Sequence, residues 1–226
     1  MDRSYRISLT RLIEHSLLAA GAGEVQAIEA CREARKFGFY GLVVNPVWVS
    51  LAAGQLRDTE VRVISVAGFP LGAGRTETKV VEAVRAVIDG AREIDMVPNL
   101  GRLVAGELAA VEREITELRR ALPTQVILKV IIEAGLLDPG RQADATQAVV
   151  NGGAEFVKTG TGFSGGVTVE QVTTIAGAAR GLVKVKASGG IRTLQQCRQL
   201  LEAGAARLGT SASKAIMQEL LDEGRG

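Results

Sequence analysis

Short apolar runs rich in β-branched residues alternate with longer amphipathic runs rich in Ala, Glu and Arg along this whole sequence of 226 residues. The short runs cover residues 12–15, 40–45, 61–68, 93–97, 126–132, 156–159, 183–186 and 207–209. The amphipathic runs include residues 24–36, 76–90, 107–122, 141–151, 168–179, 193–203 and 211–221. About eight strands alternating with helices is the pattern of a parallel (β/α)8 barrel, the TIM barrel. We predict this α/β fold, with an open doubly wound sheet as the alternative.

Nothing in the sequence divides the chain, so we predict a single TIM-barrel domain over residues 1–226. The length suits one barrel, and neither a shift in composition nor a linker marks a boundary. Hydrophobic residues make up 46% of the chain and charged residues 23%. This composition supplies a large core and argues against disorder.

Charge and composition exclude several classes of partner. The net charge is +2 and aromatic residues are 4% of the chain, which gives no support for binding nucleic acid or a membrane surface. No apolar run is long enough to span a bilayer, and the first residues lack the apolar segment of a signal peptide. Cys31 and Cys197 fit neither a disulfide framework nor a metal-binding spacing. We therefore expect a reducing, cytoplasmic setting.

The chain contains one histidine, His15. This excludes a zinc site built on several histidines, and with it the metal-dependent route to an aldol reaction. A Ser-His-Asp triad would have to use this histidine, and no G-x-S-x-G motif accompanies it. We predict that the protein uses neither a metal nor a cofactor.

Two lysines at the ends of short apolar runs point to covalent chemistry. Lys158 lies in Val-Lys-Thr-Gly-Thr-Gly-Phe, and Lys186 lies in Val-Lys-Ala-Ser-Gly-Gly-Ile-Arg. Lysine is seldom buried, but it becomes a nucleophile near neutral pH when a neighbouring cation or an apolar wall lowers its pKa. Two lysines on parallel strands of one barrel would supply both the nucleophile and the cation. The alternative is that both are solvated charges at strand ends.

Further polar residues fall at the predicted strand ends, where barrel enzymes carry their active sites. They are Glu14, Ser16, Asn45, Asp95 and Glu133. Lys129 lies inside an otherwise apolar strand, so alternation sends its side chain to one face. It either points into the barrel towards an acidic partner such as Asp95 or Glu133, or it snorkels from an edge.

The loops after the last two predicted strands are candidates for binding phosphate. Gly189 and Gly190 follow the seventh strand, whereas Ser211 lies after the eighth, where a helix opens. In barrels these loops often bind phosphate through backbone N–H groups at a helix start, and Ser211 can add a hydroxyl donor. The alternative is that Ser211 or Ser213 is only a helix N-cap. Both readings can hold, since they use the same N–H groups.

A second glycine motif is misleading. Gly160, Gly162 and Gly165 match G-x-G-x-x-G by letter. We reject a dinucleotide site here, because the motif lies late in the chain and no acidic residue follows about 20 positions later at a strand end.

Taken together, the motifs resemble those of the deoxyribose-phosphate aldolases, a family of class I aldolases that work through a Schiff base. The resemblance runs nearly end to end and in matching order. It rests on residues 38–46 (GFYGLVVNP), 66–73 (VAGFPLGA), 93–97 (EIDMV), 128–133 (LKVIIE), 157–163 (VKTGTGF) and 185–192 (VKASGGIR).

The resemblance implies a barrel that reversibly cleaves 2-deoxy-D-ribose 5-phosphate to acetaldehyde and D-glyceraldehyde 3-phosphate, without a metal. By position, Lys158 would form the imine and Lys186 would be the cation that lowers its pKa. Asp95 would take part in proton transfer with a water. The residues expected around the rest of the substrate are Gly162, Gly189, Gly190 and Ser211 at the phosphate, together with Glu14, Ser16 and Lys129.

Several positions depart from the family's usual pattern, and three of them bear on the site. Gly160 stands where Ser is usual, and Glu14 and Ser16 stand where the family shows Asp and Thr. The added methylene of Glu14 moves a carboxylate by about an ångström, a displacement to which catalysis is sensitive. One alternative is therefore a Schiff-base aldolase that has drifted to another phosphosugar or aldehyde. The other is a phosphosugar-binding barrel without turnover. By base rate alone, a homodimer is the expected assembly.

Overall fold

The eight apolar runs form the strands of one closed parallel barrel, in the order β1 to β8 along the chain. In this computed structural model, residues 9–223 are described. The strands are β1 Ile13–Leu17, β2 Gly41–Val44, β3 Arg62–Ala67, β4 Glu93–Met96, β5 Ile127–Ile131, β6 Phe156–Lys158, β7 Lys184–Ser188 and β8 Arg207–Thr210. Because β1 pairs with β8, the sheet has no edge. The predicted (β/α)8 fold is confirmed, and the open sheet is wrong. The predicted domain also includes residues 1–8 and 224–226, which lie outside the described residues.

Helices cover the outside of the barrel. They are α1 Glu24–Phe37, α2 Val49–Leu56, α3 Thr76–Ile88, α4 Leu100–Val104, α5 Leu108–Ala121, α6 Pro139–Asn151, α7 Val169–Ala179, α8 Leu194–Glu202 and α9 Ser213–Glu223. The sequence analysis did not predict α2 and α4, because 8 and 5 residues are too few for a helical period to stand out. No helix between residues 9 and 223 is long and apolar enough to cross a membrane.

Local capping chemistry fixes where the helices next to the strand-end loops begin. Thr168 and Thr193 each accept a hydrogen bond from the backbone N–H of the Gln three residues later. The side-chain oxygen of each Gln in turn accepts a hydrogen bond from the backbone N–H of its cap residue, which completes a capping box. The loops after β6 and β7 are therefore held at their far ends by α7 and α8.

Strand alternation divides the interior into two layers. Residues such as Ile94, Leu128 and Leu208 point outwards and pack under the helices in the main core. The inward side chains of β2 and β3 form a small apolar group of Val43, Ile64 and Val66. The inward side chains of the other strands are largely charged, so the barrel has an apolar wall facing an ionic one.

The strand bounds correct the predicted positions of several polar residues. Strand β7 continues to Ser188, so Lys186 lies in its middle. Glu14 is the second residue of β1, and Asp95 is the third of four in β4. Of the residues predicted at strand ends, these three instead fill the barrel interior, whereas Lys158 does end its strand.

Candidate active site

Five inward side chains from five strands form one buried ionic cluster. The lysine–carboxylate cluster consists of Lys129, Lys158, Lys186, Asp95 and Glu14, and none of the five is more than 3% exposed. Period-two alternation along each strand puts them on the same side of the sheet, and closure of the barrel brings them together. Long charged side chains are rarely buried without partners, and here each has at least one.

Asp95 lies at the centre of the cluster. Its Oδ1 is 2.9 Å from Lys129 Nζ, and its Oδ2 is 2.9 Å from Lys158 Nζ and 2.6 Å from Lys186 Nζ. Burial alone would raise the pKa of Asp95, but the three ammonium groups hold it well below its usual range. Asp95 is therefore ionised at neutral pH.

The two lysines singled out in the sequence meet at one carboxylate oxygen. Burial lowers the pKa of Lys158 to about 8; Asp95 opposes this effect, and the Lys186 ammonium adds to it. When the pKa falls from the ordinary value of 10.5 to about 8, the fraction of Lys158 in the neutral amine form at pH 7 rises by roughly 300-fold. The cluster thus has the electrostatics that a nucleophilic lysine needs, and the reading of both lysines as solvated charges is wrong.

Lys129 points into the barrel, as one of the two readings of its strand predicted. Besides Asp95 it contacts Glu93 Oε2 at 2.6 Å and Glu14 Oε2 at 3.6 Å. Burial would lower the pKa of Lys129, but these three carboxylates outweigh it and raise the pKa. Lys129 is therefore a fixed cation below the site. Glu133, the other partner considered, turns away to the loop after β6.

Glu14 lies beneath the site rather than facing open space. Its carboxylate bonds Lys186 Nζ, and its Oε1 is 3.5 Å from Arg207 Nη1. The side chain is fully buried. Ser16, two residues further along β1, is half-buried and lines the cavity described below.

A second charged layer below the cluster was missed by the sequence analysis. Tyr40 donates its hydroxyl hydrogen bond to Glu93, and Arg62 Nη1 lies 3.3 Å from the same carboxylate. The Arg207 guanidinium stacks on Tyr40, with its Cζ 3.1 Å from the ring centroid. The signal was present: Glu93 and Arg207 each stand two positions before an inward residue, Asp95 and Gly209, so alternation sends them to the same interior.

A cavity of about 600 Å³ opens above the cluster at the carboxyl ends of the strands. Of the five cluster residues, only Lys158 lines it. The other lining residues are Ser16–Ala19, Thr161–Phe163, Ser188–Arg192, Gly209–Ala212 and Ala215. The cavity therefore joins one lysine to the glycine-rich loops after β6, β7 and β8.

The predicted phosphate residues converge on one side of this cavity. Gly162, Gly189 and Gly190 have φ angles of 87°, 109° and 68°, a backbone region open chiefly to glycine. Ser211 is exposed in the loop after β8. Ser213 is different, because it is buried and its Oγ lies 2.6 Å from His15 Nδ1. The structure brings together the four residues predicted at the phosphate.

His15 lies outside the cavity, on the outer face of β1. Besides Ser213, its ring faces Glu33, with Nε2 to Oε2 at 3.6 Å. Burial lowers the pKa of His15, so the ring is neutral at pH 7. Across residues 9–223, no three His, Cys, Asp or Glu side chains are arranged to hold a metal ion.

The glycine that departs from the usual family motif has a physical explanation. Glu133 accepts hydrogen bonds from Thr161, at 2.5 Å from Oγ1 and 3.3 Å from the backbone N. A Cβ on Gly160 would lie 2.8 Å from Glu133 Oε1. Gly160 therefore leaves room for a carboxylate that ties the loop after β5 to the loop after β6.

Aromatic side chains form an apolar wall beside the cavity lysine. The Phe69 ring centroid is 5.9 Å from Lys158 Nζ, and Phe163 packs edge-on against Phe69 at 5.5 Å. Helix α3 holds the Phe69 loop, since Glu82 accepts a bond from Gly68 N and Lys79 donates one to Gly72 O. The wall helps to remove water from Lys158, the condition under which a lysine pKa falls.

Deoxyribose-phosphate aldolases are similar to this chain in both sequence and structure. No family model matches the chain. A deoxyribose-phosphate aldolase from Caldanaerobacter subterraneus is 43% identical over 223 residues, or 97% of this chain and 96% of that protein. Another from Deinococcus radiodurans is 44% identical over 212 residues, or 93% of this chain and 96% of that protein. The solved structure of a tetrameric deoxyribose-phosphate aldolase from Aeropyrum pernix has a TM-score of 0.89 and 33% identity, and the alignment covers 95% of this chain and 92% of that one.

Proposed function

This chain belongs to the deoxyribose-phosphate aldolase family, and we propose that it reversibly cleaves 2-deoxy-D-ribose 5-phosphate to acetaldehyde and D-glyceraldehyde 3-phosphate through a Schiff base. The observation that carries the proposal is Lys158. It has a lowered pKa of about 8, it opens into the cavity, and its amine lies 2.9 Å from a carboxylate that also holds Lys186.

In this reaction the neutral amine of Lys158 attacks C1 of the open-chain sugar, and loss of water gives a protonated imine. The C3 hydroxyl then loses a proton, and the C2–C3 bonding electrons move towards the iminium nitrogen. Glyceraldehyde 3-phosphate leaves, and an enamine remains on Lys158. Protonation of the enamine at C2 and hydrolysis release acetaldehyde and restore the amine. The iminium is the electron sink, so the step needs no metal.

Asp95 is placed to move protons next to the imine nitrogen. It is ionised and contacts Lys158, but it does not line the cavity. Direct contact with the C3 hydroxyl is therefore not its role, and we propose that a water carries the proton between Asp95 and the substrate. The low pKa of Asp95 makes its carboxylate a weak base. A weak base does not hold a proton for long, so Asp95 can pass on the proton that it receives from the water.

Replacing Asp95 with Asn tests this role. We expect kcat to fall by about 10² or more with little change in KM, because size and polarity stay while the base is lost. Asp95 also supports the charged form of Lys158, so trapping of the imine should begin at a lower pH than in the wild type. Kinetics with deoxyribose 5-phosphate measure kcat and KM, and reduction of the imine with borohydride across a pH series measures where trapping begins. Circular dichroism checks that the variant is folded. A change confined to KM would make Asp95 a binding residue instead.

The substrate phosphate fits the glycine-rich side of the cavity. We propose that backbone N–H groups at Gly162, Gly189 and Gly190, together with the Ser211 hydroxyl, hold it at the start of the last helices. Ser16 lies on the β1 side of the same cavity, where the sugar hydroxyls would pass, so we propose that it contacts them.

A carboxylate at Ser211 should repel the phosphate. Ser211→Asp is expected to raise KM for deoxyribose 5-phosphate by about tenfold or more. Cleavage of unphosphorylated deoxyribose should be unchanged or improved, because that substrate brings no charge. Ser211 is exposed and lies two positions before Ser213, the first residue of α9, so the helix should remain. Equal losses on both substrates would indicate damaged structure, and no loss on either would place the phosphate elsewhere.

The direct test of the function is a retro-aldol assay with deoxyribose 5-phosphate that measures acetaldehyde release. We expect turnover with the wild-type protein, and the same rate after dialysis against EDTA. Activity that disappears with chelator and returns with zinc or magnesium would overturn the Schiff-base mechanism. Binding without any cleavage would instead make the protein a phosphosugar-binding barrel.

We also propose a cytoplasmic setting and a homo-oligomeric form. Cys31 and Cys197 are free and buried, as suits a reducing compartment. The relative from Aeropyrum pernix is tetrameric, and for this chain a homodimer is the simplest closed assembly. Light scattering coupled to size exclusion would measure it.

A further inference from the structure

We infer that Glu14 is a positioning residue for Lys186 rather than a ligand of the substrate. The inference rests on the proposed Schiff-base function. Its first support is burial: Glu14 is 0% exposed and does not line the cavity that Lys158 enters. A carboxylate sealed beneath the site cannot reach a substrate hydroxyl. What it does contact is the ammonium group of Lys186.

Lys186 is held between two carboxylates from different strands. Glu14 from β1 bonds its Nζ on one side, and Asp95 Oδ2 from β4 lies 2.6 Å away on the other. Gly209 on β8 leaves the space for this path, since a Cβ there would come within 2.9 Å of Lys186 Cε. These contacts fix the position of the Lys186 side chain and hold its ammonium group beside Lys158.

Asp95 alone is a poor anchor for Lys186, because it is shared. The same carboxylate bonds Lys129 and Lys158. Glu14 is the carboxylate whose shortest contact is with Lys186, its other cationic neighbours lying 3.5 to 3.6 Å away. Without Glu14, Lys186 would depend on Asp95 alone and would share it with Lys158 and Lys129, whereas Lys129 would keep Glu93 as a second partner. Lys186 would then be free to leave its position beside Lys158.

The charged groups around the two lysines, counted together with the lysines themselves, come from six strands. They are Glu14 on β1, Glu93 and Asp95 on β4, Lys129 on β5, Lys158 and Lys186 facing one another on β6 and β7, and Arg207 on β8. Removing any of these charges changes the field at Lys158 directly. A test of positioning must therefore separate the direct effect of Glu14 on Lys158 from its effect through Lys186.

A double-mutant cycle makes this separation. The four proteins are the wild type, Lys186→Met, Glu14→Gln and the double variant. Each is incubated with acetaldehyde and borohydride across a pH series, and the N-ethyl adduct on Lys158 is measured by peptide mass. Acetaldehyde has no hydroxyl and no phosphate, so contacts to the sugar cannot contribute. Direct charge effects of Glu14 cancel in the cycle.

We expect Lys186→Met to raise the pH midpoint of trapping by about one unit or more in the wild-type background. In the Glu14→Gln background the same substitution should raise it by less than half as much, because Lys186 is no longer held. An equal rise in both backgrounds would overturn the inference and leave Glu14 a structural residue. An unchanged trapping profile in Glu14→Gln, combined with a raised KM for deoxyribose 5-phosphate, would make it a substrate ligand and also overturn the inference.

Glu14→Gln leaves buried cations short of a partner and is the variant most at risk of misfolding. If it does not fold, Glu14→Asp carries the same cycle. Asp keeps the charge but has a shorter reach, so Lys186→Met should still shift the midpoint less than in the wild type, and an equal shift would overturn the inference. If the wild-type protein cannot be trapped at any pH, the proposed function fails and this inference fails with it. If the wild type is trapped but Lys186→Met shifts the midpoint equally in both backgrounds, only this inference is overturned and the proposed function stands.

Discussion

Replacing Lys158 with Met is expected to abolish retro-aldol activity, with a loss of about 10⁴-fold or more. Met keeps much of the length and apolar surface of the side chain but has no amine, so no imine can form. The loss should be in kcat, and phosphate contacts at the glycine-rich loops should keep substrate binding largely intact. Removing one buried cation also leaves Asp95 with two lysine partners instead of three, so the barrel should remain folded.

Imine trapping measures the same residue directly. Borohydride reduction in the presence of acetaldehyde should place one ethyl group on Lys158 of the wild type and none on the Met variant. Lys184→Met is the matched control, because Lys184 is an exposed residue on a neighbouring strand and should change neither result. An ethyl group on Lys186 or Lys129, with Lys158 unmodified, would show that the nucleophile is assigned to the wrong lysine.

Much of the barrel follows from two periods in the sequence. Apolar runs of β-branched residues separated by amphipathic segments predict strands and helices in alternation, and eight such strands favour closure. The missed helices were α2 and α4, whose lengths of 8 and 5 residues give too little pattern. The ends of strands were less predictable. Strand β7 continues to Ser188, but the polar residues near its end have the sequence pattern of a loop, so the strand was predicted to end earlier.

The candidate site was predictable in its members more than in its arrangement. Lys158, Lys186 and Asp95 were singled out, and all three meet within 3 Å contacts. The direction of Glu14 was not predictable, because its position on β1 leaves open whether a carboxylate turns up to the cavity or down to a lysine. The direction of the Glu14 side chain depends on which lysine lies near it inside the barrel. Lys186 is brought near only because the barrel closes by pairing β1 with β8.

Gly160 shows the same limit at a smaller scale. Sequence comparison marks it as a departure, whereas the structure gives the reason, since the Glu133 carboxylate occupies the space a side chain would take. The contact joins Glu133, in the loop after β5, to Gly160 and Thr161, 27 and 28 positions later in the loop after β6. Local pattern carries no information about such a pair.

The second large effect is expected from Lys186. Replacing it with Met removes a positive charge that lies on the same Asp95 oxygen as Lys158, and this charge helps to lower the pKa of Lys158. Its removal, together with the negative charge of Asp95 that is then less compensated, favours the protonated form of Lys158. The pKa of Lys158 should therefore rise from about 8 by about one unit or more, which corresponds to about 1.4 kcal/mol per unit. At pH 7 the neutral amine falls about tenfold for each unit.

The pH profile distinguishes this electrostatic role from damage to the fold. We expect the rising limb of kcat/KM against pH to move to higher pH, and the rate at pH 7 to fall by about tenfold for each unit by which the pKa of Lys158 rises. Activity should partly return at pH 9, which a misfolded barrel would not show.

Met at position 186 leaves Glu14 with a buried, poorly paired charge, so a lower melting temperature is expected as well. Lys184→Met, on the same strand but exposed, should leave both profile and melting temperature near the wild type. An unmoved profile in the Lys186 variant would mean that the two amines are not coupled. In that case burial and the aromatic wall of Phe69 would have to account for the lowered pKa of Lys158 without help from Lys186.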